Sequence, residues 1–416
     1  MTKITMFNLF RSSSSLSIVH LVSNSAIQVF VAFATNIILV RSISPEVFGS
    51  FAILVAGISL VFSILSLRLG ITVINTSAKN YDNFFESKMN SIFLLEILCI
   101  FIVSLVVLLF TNHLQFWAIV VLLALSTQHF VDYIKIFFER GMNYPVLAKI
   151  ETYSRLFGHF FAIAAIYFFP SKGFEILILR EFVTAASLLF TLWLKNGLIP
   201  FSLALPTPKT FLEITKKIKG IWFEGALEQS FTRLTLIGAS YVSNSAGVGI
   251  FSQSMRLSYL LDQFISPVYA RFSLNWFSRT ESFNKRLSVM YFMIFALLII
   301  NSLVVIFLYY FIESIVLLLY GEQWADVAST MIYLFGLIIF RSPFEALKAY
   351  CYSQKILNIV YVARVIQFAI LGLAIFANFE FFGEGINSVS IALGFSYGLG
   401  FLLLIVLVPI IELKRK

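Results

Sequence analysis

Three arginines lie inside segments that are otherwise apolar enough for lipid. Arg233 is in FEGALEQSFTRLTLIGASYV, Arg256 is in GIFSQSMRLSYLLDQF, and Arg341 follows MIYLFGLIIF. A guanidinium stays protonated in proteins, so each must contact protein, water or an anionic ligand rather than acyl chains. This pattern favours a transport path for a polar or negatively charged molecule.

One helical segment, residues 247–272, carries a continuous polar face. Side chains three, four, seven or eight residues apart share a face of a helix. The members of this face are Ser252, Gln253, Arg256, Tyr259 and Gln263. Arg256 lies about 14 Å from the outer end of the segment at 1.5 Å per residue. We predict that Arg256, Tyr259 and Gln263 contact a phosphate or an acidic sugar, and a salt bridge from Arg256 to an acid such as Glu228 is the alternative.

Other polar residues in apolar segments extend this set. His20, Asn24 and Gln28 lie along one side of the first segment, where they could bind sugar hydroxyls or hold helices together. Arg233 and Arg68 are further predicted contacts of the substrate. Glu224 and Glu228 are one helical turn apart and are the predicted site for a coupling H⁺ or Na⁺, with a packing pair as the alternative. No other cofactor and no metal is predicted.

The remaining charges inside or beside these segments have simpler interpretations. Arg155, Arg180 and Arg364 fall close to segment ends, where long side chains reach the headgroups. Arg341 and Glu345 are spaced i, i+4 and can pair with each other. We therefore expect these residues to be structural.

The elements that position these residues are transmembrane helices. The chain has 416 residues, a mean hydropathy of +0.92 and only 12% charged residues, which excludes a soluble domain and a disordered chain. Apolar spans of about 20 residues cross a bilayer as helices. Twelve are predicted: 16–40, 50–74, 91–111, 116–138, 150–169, 174–194, 220–243, 247–272, 287–311, 326–350, 359–378 and 386–411.

The loops between the spans are strongly asymmetric in Lys and Arg. Nearly all of these residues fall on the side that holds both termini, which predicts cytoplasmic N- and C-termini. The asymmetry explains the net charge of +9, so no nucleic-acid partner is expected. Cys99 and Cys351 lie in or beside helices and predict neither a disulfide framework nor a zinc site.

The predicted organisation is an all-α polytopic membrane protein with two parallel six-helix lobes. The lobes are residues 1–194 and 220–416, joined by a basic cytoplasmic linker at 195–219. A weak internal repeat supports this division, since Phe48-Gly49-Ser50-Phe51 is echoed by Val248-Gly249-Ile250-Phe251. Substrate sites of transporters built from such repeats lie between the halves, near the midplane of the membrane.

These segments also resemble a known family. LVRSISPEVFGSFAILVAGISLVFSILSLRLGITVI is similar to the first-to-second helix segment of bacterial Wzx-type O-antigen/polysaccharide flippases. GVGIFSQSMRLSYLLDQFISPVYARFSLNWFSR resembles their eighth helix, and LLLYGEQWADVASTMIYL resembles their connection into the tenth. These flippases form the polysaccharide transporter family of the multidrug/oligosaccharidyl-lipid/polysaccharide exporter superfamily. In that family a cavity arginine of the eighth helix matches Arg256, whereas His20, Asn24 and Gln28 stand where some relatives carry an arginine in the first helix.

The resemblance implies a V-shaped, alternating-access flippase of the cell inner membrane. Its substrate would be an undecaprenyl-pyrophosphate-linked oligosaccharide for O-antigen, lipopolysaccharide or capsule, and its partners would be membrane lipid, a polysaccharide polymerase and a chain-length regulator. A drug/cation antiporter of the same superfamily is the alternative, and a membrane polymerase or ligase is a weaker one. The sequence contains no catalytic constellation and no Gly-rich phosphate loop, so an enzyme is not expected.

Overall fold

The structure is a computed structural model that describes residues 13–75, 83–111, 114–140, 144–196, 206–279, 282–354, 356–376 and 385–414. Within these ranges the chain is almost entirely helical. The helices are α1 (Ser13–Ser42), α2 (Pro45–Leu65), α3 (Leu69–Asn75), α4 (Asn83–Phe110), α5 (Phe116–Arg140), α6 (Tyr144–Phe168), α7 (Gly173–Asn196), α8 (Pro208–Val242), α9 (Ser245–Arg279), α10 (Phe283–Tyr320), α11 (Asp326–Tyr333), α12 (Phe335–Ser353), α13 (Leu357–Phe376) and α14 (Gly385–Lys414).

Each of the twelve predicted spans falls on helical structure. The second span is α2 followed by α3, and the tenth is α11 followed by α12. Among the described residues, seven helices are long and apolar enough to cross a membrane, or eight if the bent α11–α12 pair is one span. The protein is therefore a multi-pass membrane protein. The spans that fall short of that test include α8 and α9, which carry many of the charged and hydroxyl side chains that the sequence singled out.

Among the described residues, two of the spans are interrupted. Between α2 and α3, Arg68 adopts a φ of 54°, a left-handed conformation that is uncommon outside glycine. Its Nη2 donates to the Gly225 carbonyl at 3.1 Å, and Trp222 Nε1 donates to the Ile64 carbonyl at 2.9 Å. Residues in the middle of α8 thus bond to polar groups at the break. At the other break, α11 and α12 meet at an angle of 55°.

The second half of the predicted linker is helical. Residues 197–205 lie outside the described residues, but α8 already begins at Pro208. The basic stretch FLEITKKIKG is therefore part of α8 and not of a loop. Ile214 and Ile218 from this stretch pack in a core cluster with Met89 and Phe93 of α4. Burial of these apolar side chains explains why the helix starts earlier than the hydropathy of the span indicates.

The chain divides into two compact units. Unit 1 is residues 1–42 and 57–230, and unit 2 is residues 43–56 and 231–416. The chain passes between the units at three positions: one lies between α1 and α2, and the other two lie inside α2 and inside α8. The predicted division into lobes 1–194 and 220–416 with a linker at 195–219 stays a prediction.

Within unit 2, the two echoed glycines of the sequence lie against each other. A Cβ added to Gly49 would overlap the Ser245 carbonyl oxygen and would stand 2.8 Å from the Gly249 nitrogen. A Cβ added to Gly249 would overlap the Pro45 carbonyl oxygen. The start of α2 therefore crosses the start of α9 backbone to backbone, a contact that only the absence of a side chain allows.

We expect Gly249→Ala to lower the free energy of unfolding by about 1–3 kcal/mol, because the two helices must separate to admit a methyl group. Gly57→Ala on the same α2 is the control, since a Cβ there meets nothing within 4 Å and the substitution improves helix propensity. Thermal unfolding of the purified protein in detergent measures both. An equal effect of the two substitutions would contradict the backbone contact.

Candidate functional site: a charged network in unit 2

A network of charged and polar side chains lies within unit 2. It joins α9, α12 and α13 through ion pairs, hydrogen bonds and a cation–π contact. Its members are Tyr259 and Asp262 of α9, Arg341, Ser342, Glu345 and Lys348 of α12, and Arg364 and Gln367 of α13. Helices in a membrane rarely carry so many ionisable groups unless the groups pair with one another or bind a ligand.

The local sequence of α12 positions the network. Arg341, Glu345 and Lys348 are spaced i, i+4 and i+7 and so project from one side of the helix. Pro343 lies among them and removes the backbone N–H that would bond to the Ile339 carbonyl. Asn301 Nδ2 of α10 donates to that carbonyl at 3.3 Å instead. A neighbouring helix therefore satisfies the polar group that the proline leaves open.

Arg341 is at one end of the network. Its guanidinium carbon lies 3.6 Å from the centre of the Tyr259 ring, and its Nη2 lies 3.6 Å from Asp262 Oδ2. Ser342 Oγ donates to Asp262 Oδ1 at 3.0 Å. The Nε and Nη1 atoms of Arg341 are buried and have no hydrogen-bond partner, although 25% of the side chain is exposed. Arg341 therefore retains N–H groups that can bind an acceptor.

Glu345 is at the other end, between two cations. It pairs with Lys348 on its own helix and with Arg364 Nη2 at 3.2 Å. Arg364 is fully buried, donates to Gln367 Oε1 at 2.9 Å, and lies 4.9 Å above the Phe344 ring. With every group ionised, the three cations exceed the two carboxylates by one positive charge. A buried site with an excess of positive charge is suited to an anionic ligand.

The sequence comparison decides the family. Residues 38–329 match the family described as polysaccharide biosynthesis protein. The chain belongs to this family. Among curated proteins, none matches the sequence.

The fold of this polysaccharide biosynthesis protein is shared by solved structures. The lipid II flippase MurJ in an inward closed conformation is 14% identical over 95% of this chain and 87% of that chain, with a TM-score of 0.62. A multidrug resistance MATE family transporter of the MOP superfamily, in an inward-facing conformation, is 15% identical over 96% of this chain and 99% of that chain, with a TM-score of 0.61. At these identities the likeness concerns the fold. The sequence-based resemblance to a polysaccharide family is confirmed by the family match, and the all-α polytopic fold class is confirmed by the shared fold.

The residues of the polar face predicted on α9 differ in their surroundings. Tyr259 is part of the network, and Gln253 is buried. Arg256 and Gln263 have exposed side chains. Arg233, on α8 within unit 2, is half-buried, and its Nε is buried without a hydrogen-bond partner. The assignment of these residues to a substrate surface stays a prediction.

Two predicted residues of unit 1, Gln28 and Arg68, have different partners. Gln28 Nε2 donates to Thr152 Oγ1 at 2.9 Å and so joins α1 to α6. Arg68 braces the α2–α3 break. The side chains of His20 and Asn24 lie outside the described part of the chain.

The predicted coupling acids lie on the half of α8 that belongs to unit 1. Glu224 is buried and Glu228 is half-buried. Their role in ion coupling stays a prediction. Among the described residues, no group of three His, Cys, Asp or Glu side chains is placed to hold a metal ion.

Two interpretations from the sequence are wrong. Arg180 was expected to reach the headgroups from near a helix end, but its side chain is buried and pairs with Glu181. Arg364 was expected to reach the headgroups from near a helix end, but its side chain is fully buried and bonded to Glu345. Asp262 and Lys348 were not predicted as members of a site. The spacing of Lys348, three residues after Glu345 and seven after Arg341, is the signal that could have found it.

Proposed function

We propose that this protein is a flippase for undecaprenyl-pyrophosphate-linked oligosaccharide repeat units, the precursors of O-antigen, lipopolysaccharide or capsule. In this proposal it works by alternating access in the bacterial inner membrane, with both termini cytoplasmic. A polysaccharide polymerase and a chain-length regulator would act on the translocated product, and the chain itself would not be an enzyme. Membership of the polysaccharide biosynthesis family and the shared exporter fold support this function.

The observation that carries the proposal is the open hydrogen-bonding capacity of Arg341 in a network with excess positive charge. Pyrophosphate and acidic sugars present oxygen acceptors, and charge-assisted hydrogen bonds to guanidinium are among the strongest that a protein makes. The stacked Tyr259 ring holds the guanidinium in place, so little side-chain freedom would be lost on binding. In our proposal Arg341 contacts the anionic part of the substrate, and Asp262 orients Arg341.

A drug/cation antiporter would require a different balance of charge. Organic cations bind to acidic and aromatic surfaces, whereas the carboxylates of this network, Asp262 and Glu345, both face cations. An added cation would have to displace Arg341, Lys348 or Arg364 from these acids. The network therefore favours the anionic substrate.

The experiment is deletion of the gene in its host, followed by location of the lipid-linked repeat unit. We expect loss of surface glycan and retention of the lipid-linked unit on the cytoplasmic leaflet, with both effects reversed by a wild-type copy. Unchanged surface glycan would overturn the flippase proposal. Unchanged glycan together with increased sensitivity to organic cations would favour the antiporter.

A further inference from the structure

A second buried pair of titratable groups lies in unit 1, apart from the charged network. Glu96 of α4 and His129 of α5 are joined by a contact of 2.8 Å between Oε1 and Nε2. The Glu96 side chain is 2% exposed and that of His129 is 19% exposed. Neither residue was singled out in the sequence, because they belong to different spans and only the fold brings them together.

The pair is deep in the helical bundle. At 1.5 Å per residue, both residues lie about 17–21 Å from either end of their helices. The imidazole is flanked by Phe62 and Phe93, whose ring centres are 5.8 Å and 5.4 Å away. An ionisable pair at this depth, against aromatic rings, is a functional site by default in a membrane protein.

The hydrogen bonding of the carboxylate is incomplete. Glu96 Oε2 is buried and has no hydrogen-bond partner. Within the described part of the chain, the structure gives Glu96 no ion partner other than His129. With a neutral imidazole, the site holds one negative charge and an unsatisfied oxygen away from water, which is unfavourable. Addition of one proton at His129 Nδ1 converts the site to an imidazolium–carboxylate pair with no net charge.

The other titratable and charged groups of the helices packed around the pair have contacts of their own. The contacts are Lys135 with Asp132 and Glu151, Arg180 with Glu181, Glu175 with Lys172, Tyr133 with Asn90, Arg68 with the Gly225 carbonyl, and Arg140 with the Val73 carbonyl. Glu86, Lys88, Glu139, His159, Glu224 and Glu228 also have partners elsewhere in the chain. The charge of the Glu96–His129 site is therefore set mainly by its own proton.

We propose that Glu96 and His129 form the site that binds the coupling proton during translocation. The geometry points to this pair in place of Glu224 and Glu228, which the sequence suggested. The partial exposure of His129 supplies the route for the proton to Nδ1, and Glu96 holds the resulting imidazolium. The role of the pair in translocation rests on the proposed function, whereas its protonation does not.

The first measurement is NMR of the protein with labelled histidine rings in detergent. We expect the His129 signal, identified by its loss in His129→Asn, to change from the neutral to the imidazolium form as pH falls. Glu96→Gln should reduce the imidazolium fraction at a given pH, because the counter-charge is removed. A His129 ring that stays neutral throughout, or that titrates equally well in Glu96→Gln, would overturn the proton site.

The second measurement is flipping of a fluorescent pyrophosphate-linked saccharide lipid by proteoliposomes with and without an imposed proton gradient. We expect a gradient to accelerate the wild type at least about tenfold, and we expect Glu96→Gln and His129→Gln to lose that acceleration. Tyr133→Phe is the matched control, because it breaks the 2.8 Å bond from Tyr133 to Asn90, which joins the same two helices without charge.

The outcomes separate the two proposals. Acceleration that survives in Glu96→Gln and His129→Gln, or that is lost equally in Tyr133→Phe, overturns the coupling role. A wild type that titrates at His129 as expected but flips no lipid-linked saccharide overturns the proposed substrate and leaves the proton site standing.

Discussion

Arg364→Ala is expected to prevent the accumulation of folded protein in the membrane. Arg364 is fully buried, bonds to Glu345 at 3.2 Å and to Gln367 at 2.9 Å, and stacks on Phe344. Removal of one partner of a buried ion pair costs about 3–5 kcal/mol, because the other charge stays buried. That loss is a large part of the total stability of about 5–15 kcal/mol that proteins possess.

The measurement is the amount of folded protein after extraction, together with its unfolding temperature in detergent. Arg155→Ala is the control, since Arg155 is an exposed arginine of α6. Arg364→Met should be more stable than Arg364→Ala, because it fills part of the cavity that alanine leaves, while Glu345 keeps its pair with Lys348 in both variants. Arg364→Ala protein that unfolds at the same temperature as the wild type would show that the Glu345–Arg364 pair contributes nothing.

Arg341→Ala is expected to abolish surface glycan while folded protein remains in the membrane. The Arg341 side chain is 25% exposed, whereas that of Arg364 is fully buried, so the removal of Arg341 should destabilise the fold less. Each charged hydrogen bond to a substrate phosphate contributes about 1.5–3 kcal/mol, which corresponds to about a tenfold to a hundredfold loss of affinity. Arg341→Lys should retain part of the activity, because it keeps the charge but loses the planar stack on Tyr259.

The variant to compare with Arg341→Ala is Arg256→Ala. The sequence and the family resemblance predict an anion contact at Arg256, whereas we propose Arg341 for this contact. Complementation of a deletion strain by each variant, with protein abundance measured in parallel, distinguishes the two. If Arg341→Ala exports glycan normally and Arg256→Ala does not, the anion contact is Arg256 and not Arg341.

The fold was largely predictable because its strongest signal is local. Apolar segments of membrane length predicted helices, and every predicted span coincides with helical structure. The echo of Gly49 in Gly249 also proved informative, since the two residues meet in the structure. The breaks were not predictable. Arg68 adopts a left-handed conformation without being glycine, and Leu334, where α11 ends and the chain bends, is a residue type that ordinarily continues a helix.

The site was less predictable, because the position of a residue along a helix does not determine the direction in which its side chain points. Arg364 lies where an interfacial arginine would lie, yet it faces the interior of unit 2. The i, i+4 spacing suggested that Arg341 pairs with Glu345, but the fold gives Arg341 a contact with Asp262 and gives Glu345 contacts with Lys348 and Arg364. Such contacts join helices that are far apart in sequence, and no single-helix pattern contains that information.

The most direct test of the proposed function is flipping by the purified protein in liposomes of defined lipid. A pyrophosphate-linked oligosaccharide lipid is placed in both leaflets, and its accessibility to an added glycan-modifying enzyme is followed over time. We predict that wild-type protein makes the inner-leaflet pool accessible and that Arg341→Ala protein, inserted in equal amount, leaves it protected. Equal protection in liposomes with wild-type protein and in protein-free liposomes would contradict the account.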